Sequence, residues 1–347
     1  MASYIVRRIM ISIPLLLGMS FVTFAIIRLP QGDVLASYRN DPKVSPEEVK
    51  KLEQKYRFDR SFLVQYAFWM KNLVSFGWSE HKEPAKTLWA RTERLIPIKL
   101  DLGYSFVNKR PVTEVISERL PNTLRLSIVS LILVWAVAVP LGVYSAVRQY
   151  STGDKILSFI SFIGMSLPSF FLALLLLYLA SLTGWLPIGG TSSGPTVYAG
   201  LGTLGKFLDI AKHMVVPGMV VVTGSLAGMQ RLMRGNMLEV LRMQYVTTAR
   251  AKGLPEGSVI WRHALRNAIN PMITIFGYEL SGLLSGVALT EMITSYPGLG
   301  SLMLEAVRAQ DIFLVMSSLM ISGVMLIAGN LVADVLLAIA DPRISYT

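Results

Sequence analysis

The sequence predicts an all-α integral membrane protein with about six transmembrane helices, and both its composition and its long apolar stretches support this class. Of its 347 residues, 52% are hydrophobic and only 16% are charged, whereas soluble domains usually carry about 25% charged residues. The hydrocarbon core of a bilayer is about 30 Å thick, so a helix needs roughly 20 apolar residues to cross it. The stretches that approach this length are residues 9–27, 124–147, 156–182, 214–229, 272–289 and 313–338.

The first apolar stretch is predicted to be a retained helix. Arg7 and Arg8 precede it, as in a secretory signal peptide. However, its apolar run is longer than the roughly 7–15 residues of a signal core, and no small-residue cleavage site follows. The chain therefore divides into an N-terminal transmembrane helix (1–28), a small extracytoplasmic domain (29–121) and a core transmembrane domain (122–347).

Basic residues in the short connections predict the orientation. They precede the first span, lie between the second and third, and are most numerous between the fourth and fifth. These three segments lie on one side of the membrane, and such residues mark the cytoplasmic side. We therefore expect both termini in the cytoplasm. The same rule accounts for the net charge of +11, so we expect contacts with membrane lipid and no nucleic-acid partner.

The extracytoplasmic domain contains one clear helix start. Ser45, Pro46 and Glu48 place a Ser cap, a Pro at the first helical position and a Glu at the third. A short helix through about Tyr56 is predicted. Such a domain either covers the helix ends or docks a soluble partner, and these two interpretations are compatible.

The connection between the fourth and fifth spans predicts a helical hairpin at about residues 237–268. Residues 237–252 contain no Gly or Pro and lead to Gly253, the residue type favoured just past a helix end. Pro255 and Glu256 suit the start of a second helix. An apolar stripe with helical spacing follows at Trp261, Ala264, Leu265 and Ala268. Such a hairpin either lies on lipid headgroups or docks a partner protein.

Some polar residues and prolines lie inside the predicted spans. Pro168 and Pro217 are predicted to kink the third and fourth spans, which lets freed carbonyls face a cavity. Glu279 and Asp334 lie within the fifth and sixth spans, and Glu291 lies near the outer end of the fifth. Carboxylates at membrane depth are costly, so each either lines a solute pathway or makes a helix-to-helix contact.

Motifs for chemistry are absent from the sequence or incomplete. There is no cysteine, which excludes disulfides and cysteine-based sites. Residues 200–206 resemble a phosphate-binding loop, but Phe207 stands where Ser or Thr is needed for magnesium. We expect no catalytic residue, metal or cofactor in this chain, so any use of ATP requires partner subunits.

The predicted hairpin carries a recognisable motif. YVTTARAKGL (245–254) followed by WRHALRNA (261–268) closely resembles the cytoplasmic coupling motif of ABC importer permeases, and the chain is similar to the first permease of the dipeptide/oligopeptide and nickel importers. Further stretches that match in order are LGYSF (102–106), ERLPNTL (118–124), SLPSF (166–170), YPGLG (296–300) and DPRI (341–344). The chain departs from the wider superfamily by Thr247 and Thr248 in place of Glu-Ala, and by an apparent insertion at about 75–98.

The resemblance implies a type I ABC importer permease fold in a prokaryotic inner membrane. This chain would form half of a pathway for peptides, together with a second homologous permease, two cytoplasmic subunits that bind ATP and Mg²⁺, and an extracytoplasmic solute-binding protein. The residues implied to couple to the ATPase are Thr248, Ala249, Arg250, Ala251, Lys252, Gly253 and Leu254, with Ala249, Ala251 and Leu254 packed in its groove. Oligosaccharide or nickel cargo and an ATP-independent secondary transporter are the alternatives.

Overall fold

The computed structural model describes residues 2–28, 45–76 and 98–340, together with Arg39. The chain forms two compact units. The N-terminal unit comprises residues 9–123 and 298–324, and the core unit comprises residues 1–8, 124–297 and 325–347. The apparent insertion at about 75–98 and the DPRI motif lie largely or wholly outside the described residues. The domain limits predicted from the sequence remain predictions.

Short helices and two small hairpins follow the first membrane helix. In order, the elements up to residue 111 are α1 (Ala2–Arg28), α2 (Pro46–Tyr56), α3 (Phe62–Leu73), β1 (Val74–Phe76), β2 (Ile98–Leu100), β3 (Tyr104–Ser105) and β4 (Arg110–Pro111). Strands β1 and β2 pair antiparallel, as do β3 and β4. The helix predicted to start after Ser45 is confirmed, and the Val49 N–H donates to the Ser45 carbonyl at 3.2 Å.

A buried carboxylate and an aromatic cluster organise the N-terminal unit. The Asp311 side chain accepts from Ser105 Oγ at 2.7 Å, while Phe106 packs against Phe313 with ring centroids 6.1 Å apart. Gly103 has φ +90°, and a Cβ on it would lie 2.8 Å from Phe313 Cγ. Gly103, Ser105 and Phe106 of the LGYSF motif therefore take part in this packing.

Helices make up the remainder of the described chain. In order, the elements are α4 (Val112–Val147), α5 (Thr152–Ser166), α6 (Ser169–Thr183), α7 (Pro195–Gly200), α8 (Thr203–Val240), α9 (Gln244–Ala251), α10 (Glu256–Ser258), a π-helical turn (Val259–Ala264), α11 (Leu265–Ala268), α12 (Asn270–Gly286), α13 (Ala288–Ile293), α14 (Leu299–Arg308) and α15 (Ile312–Ala340).

Membrane-spanning potential is concentrated in four helices of the described chain. Segments long and apolar enough to cross a bilayer are Val6–Ile27, Val112–Val147, Thr203–Val240 and Ile312–Leu336. A bent pair, α5 with α6, adds a fifth if it counts as one span. The predicted fifth span corresponds to α12, whose 17 residues reach about 26 Å at 1.5 Å per residue, and α13 follows directly.

The predicted third span is wrong as one continuous helix, because the chain bends by 102° between α5 and α6. Pro168 is at the bend, as predicted for a kink. The residue before a proline is sterically driven out of the α region, and Leu167 has the extended values φ −83°, ψ 122°. Pro217 lies inside α8, which continues on both sides of it, and the kink predicted there remains a prediction.

Candidate coupling hairpin

The predicted helical hairpin is present between α8 and α12, with different helix limits. A single helix over 237–252 is wrong: α8 continues to Val240, and α9 begins only at Gln244. Met243 between them is extended, with φ −70° and ψ 146°. This change of direction lets α9 bury Val246 and Ala249 against the same chain. Packing, rather than a Gly or Pro, ends the first helix.

Gly253 makes the turn at the end of α9, as predicted. Its φ is +76°, which glycine adopts without the steric cost that a Cβ imposes. The Gly253 N–H donates to the Arg250 carbonyl at 2.9 Å, and the Leu254 N–H reaches the Ala249 carbonyl at 3.4 Å. This pair of bonds is a Schellman motif, which satisfies carbonyls left open at a helix end.

The second arm starts after Pro255, as predicted, but its apolar stripe is shifted. Residues 259–264 form a π-helical turn, which takes up an extra residue compared with an α-helical turn. As a result, Trp261 is 54% exposed and Val259 is fully buried. Ala264 and Ala268 keep their predicted place in the core. The spacing rule failed at Trp261 because it assumes 3.6 residues per turn throughout.

The hairpin is built onto the long helix α8. Its buried residues pack in one cluster with α8 side chains: Val246, Ala249, Val259, Ala264 and Ala268 with Met229, Met233 and Met237. Asn236 of α8 also donates through Nδ2 to the carbonyl of Ala268 at 3.2 Å. Across the hairpin, Asn267 Nδ2 donates to Tyr245 Oη at 2.7 Å. The hairpin is thus fixed to a membrane helix by packing and by one hydrogen bond.

The outer face of the hairpin carries all but one of the residues predicted to couple. Thr248, Arg250, Ala251, Lys252, Gly253 and Leu254 are exposed. Ala249 is only 7% exposed and belongs to the chain's own core. Its implied role in a partner's groove therefore conflicts with its position. Ala249 instead holds α9 in place.

An ion pair spans the glycine turn. Arg250 Nη2 donates to Glu256 Oε1 at 2.7 Å, and Nε lies 3.2 Å from both carboxylate oxygens. The hydrogen bond from Arg250 lowers the pKa of Glu256, and the same bond raises the pKa of Arg250. Because both side chains are exposed, the pair contributes at most about 1 kcal/mol. The sequence placed Glu256 only as a helix start, although its six-residue separation from Arg250 could have suggested the pair.

Comparison with known proteins gives this geometry a context. Residues 138–346 match the family model described as binding-protein-dependent transport system inner membrane component, and residues 1–127 match its N-terminal counterpart. The chain belongs to this family. It is 38% identical over 348 residues to the oligopeptide transport system permease protein AppB of Bacillus subtilis, with both chains fully covered.

Two dipeptide permeases are also similar along the whole length. The dipeptide transport system permease protein DppB of Alkalihalophilus pseudofirmus is 33% identical over 358 residues, with full coverage of both chains. The protein of the same name from Escherichia coli K12 is 32% identical over 361 residues, covering all of this chain and 99% of the relative. The chain is therefore a multi-pass membrane permease of a transport system, and the family is not one of enzymes.

A polar contact that the sequence did not suggest ties α5 to α8 in this permease. Arg234 binds the carboxylate of Asp154 through two bonds, Nε to Oδ1 at 3.0 Å and Nη2 to Oδ2 at 2.9 Å. Nearby on α8, Gln230 accepts from Ser161 Oγ at 2.9 Å and donates to Ser145 Oγ at 3.2 Å. These contacts link α4, α5 and α8 close to the part of α8 that carries the hairpin.

The other predicted site residues of the permease are in different environments. Pro168 is exposed at the bend between α5 and α6. Asp334 forms an ion pair with Arg8, with Arg8 Nε 3.3 Å from Asp334 Oδ2, so it makes a helix-to-helix contact. Glu291 is completely buried in α13. Glu279 on α12 is partly buried. The structure does not bring these residues together with the hairpin.

Proposed function

We propose that this chain is one permease subunit of an ATP-driven importer and forms half of the translocation pathway for peptides. The observation that carries the proposal is the glycine-turn hairpin, which is packed onto the membrane helix α8 and exposes a motif-bearing face. Peptide cargo is supported by similarity along the whole chain to permeases named for oligopeptide and dipeptide transport.

The proposed assembly contains a second, homologous permease and two ATP-binding subunits on the cytoplasmic side. ATP and Mg²⁺ belong to those subunits, and an extracytoplasmic solute-binding protein delivers the cargo. Both termini are in the cytoplasm of a prokaryotic cell. The basic residues of the hairpin segment and of the short α4–α5 connection support this orientation.

In this proposal, the exposed tip of the hairpin contacts an ATP-binding subunit. Ala251 and Leu254 supply apolar contact at the tip, and Lys252 contacts the rim. Thr248 extends the exposed face along α9. Arg250 closes the turn through Glu256 and contributes its outer surface. Gly253 sets the direction of the tip. Ala249 acts indirectly, because its burial fixes α9 on α8.

Transport follows from movement of the two hairpins. Binding of ATP closes the pair of ATP-binding subunits and draws together the hairpins of both permeases. Because this hairpin shares a packed core with α8, its displacement moves that helix. Hydrolysis of ATP resets the arrangement. Such rigid movement of helix groups is a known form of alternating access.

The proposal is tested by purification and by reconstitution. The tagged chain is purified in mild detergent from its native host, and co-eluting proteins are identified by mass spectrometry. Recovery of a second permease and two ATP-binding subunits, with ATP-dependent tripeptide uptake in proteoliposomes, is expected. A chain that elutes alone and moves solute without ATP would contradict the proposal and favour a secondary transporter.

A further inference from the structure

We propose that Glu279 binds the ammonium group of a peptide passing through the permease, at the edge of an apolar cavity between α4, α12 and α15. The ammonium belongs to a lysine side chain of the peptide. This inference rests on the proposed peptide import and adds the residue that selects cargo charge.

The first observation is the cavity itself. It has a volume of about 540 Å³, within the range of about 300–1,000 Å³ that small-molecule sites occupy. All its lining residues belong to the core unit. Trp135 and Phe276 line one part and pack edge to face, with ring centroids 5.5 Å apart. Such walls accommodate apolar side chains and provide no charge.

The second observation is the position of Glu279. It lies on α12 three residues after Phe276 and one before Leu280, and both of these neighbours line the cavity. Residues three apart on a helix are adjacent on its surface. Glu279 is therefore placed at the edge of the cavity, where it supplies negative charge beside an otherwise apolar wall.

The third observation is the contrast with the other carboxylates in or near the predicted spans. Asp334 is paired with Arg8, and Glu291 is completely buried and has its own interactions. Within the described part of the chain, the Glu279 carboxylate has neither an ion pair nor a hydrogen bond. A carboxylate in a membrane helix is costly when uncompensated, and a passing cation compensates its charge.

Charge complementarity identifies the occupant. An ammonium group is attracted to the carboxylate of Glu279 and to the faces of aromatic rings such as Trp135 and Phe276. The apolar remainder of a peptide fits the other walls. A lipid acyl chain also fits apolar walls, but it leaves the carboxylate without a partner.

The test measures how the permease discriminates peptide charge. The whole transporter with its binding protein is reconstituted in proteoliposomes, and uptake of Ala-Lys-Ala is compared with that of Ala-Glu-Ala. Glu279→Gln is expected to lower the lysine-to-glutamate uptake ratio about tenfold, which corresponds to about 1.4 kcal/mol. Glu279→Asp restores most of the ratio. Because every variant uses the same binding protein, a changed ratio originates in the permease.

Asp334→Asn is the matched control, because it removes a membrane-helix carboxylate that is already paired with Arg8. This variant is expected to leave the uptake ratio unchanged. An unchanged ratio in Glu279→Gln with normal uptake would overturn the inference and favour a lipid-facing cavity. Loss of the second permease from the purified Glu279→Gln complex would also overturn it, because Glu279 would then be a subunit contact. If the unaltered complex transports neither tripeptide, the proposed function itself fails.

Discussion

Replacement of Gly253 tests whether backbone strain alone can uncouple the hairpin. The residue has φ +76°, and a Cβ built on it meets no atom within 4 Å. A side chain therefore fits, and the cost arises only from the left-handed backbone, roughly 1–2 kcal/mol for an ordinary L-residue. Asn tolerates this conformation better than Ala, and a β-branched residue tolerates it least.

The strain is too small to unfold the hairpin. Val246 and Val259 are fully buried beneath it, and burial of each such side chain contributes about 1.5–3 kcal/mol. The hairpin core therefore remains packed, and the turn distorts locally. A cost of 1 kcal/mol corresponds to about a fivefold shift in an equilibrium. We expect cargo-stimulated ATPase activity to fall by about that factor in Gly253→Ala.

The assay compares three substitutions in the reconstituted complex. Cargo-stimulated ATPase activity is expected to decrease in the order Gly253→Asn, Gly253→Ala, Gly253→Val. Gly257→Ala is the control, because Gly257 lies in the same hairpin, has the same open surroundings and lacks a positive φ. If activity instead falls with side-chain volume, so that Asn is worse than Ala, contact with the partner and not strain determines coupling.

Further substitutions test the contacts around the hairpin and in the N-terminal unit. Asp154→Asn should cost about 1–3 kcal/mol of unfolding free energy, because it breaks a largely buried bidentate pair. Arg250→Gln breaks an exposed pair and should cost less than about 1 kcal/mol. Equal losses of stability in thermal melts of the two variants would contradict this. Burial raises the pKa of Asp311, so the folded state favours its protonated form. Stability of the N-terminal unit should therefore rise as pH falls through that raised pKa. Asp311→Asn should remove this dependence in melts at pH values above the ordinary Asp pKa of about 4. Gly103→Ala should lower the unfolding free energy of the N-terminal unit by about 2–4 kcal/mol, through left-handed strain and the clash with Phe313. Amide hydrogen exchange of that unit should become faster, and unchanged exchange would contradict the prediction.

Local sequence signals predicted the parts of the hairpin that depend on single residues. Gly253 was placed at the turn because glycine is favoured after a helix end, and its positive φ agrees with this. Pro255 was correctly assigned to the start of the second arm. Pro168 was correctly expected to disturb the third span, although a 102° bend exceeds a kink. In each case one residue type restricts its own backbone.

Features that depend on distant packing were beyond the sequence. No Gly or Pro marks the end of α8 at Val240. This end is set instead by the burial of Val246 and Ala249 in the following helix, which the local sequence does not reveal. Exposure of Trp261 results from a π-helical turn, which no local spacing rule includes. The LGYSF motif was noticed only as a match to a family pattern. Its Ser105 and Gly103 are needed because they contact Asp311 and Phe313, some 200 residues away in the chain.

The length of α8 has a mechanical consequence. Its 38 residues extend about 57 Å at 1.5 Å per residue, while the hydrocarbon core of a bilayer is about 30 Å thick. The hairpin packs on the C-terminal end of this helix. We therefore expect the helix and the hairpin to tilt together as one rigid body within the bilayer. Over such a length, a tilt of only about 5° displaces one end by about 5 Å relative to the other. A small change of angle within the membrane would thus become a displacement about as large as one helical turn at the hairpin tip, which we propose contacts an ATP-binding subunit.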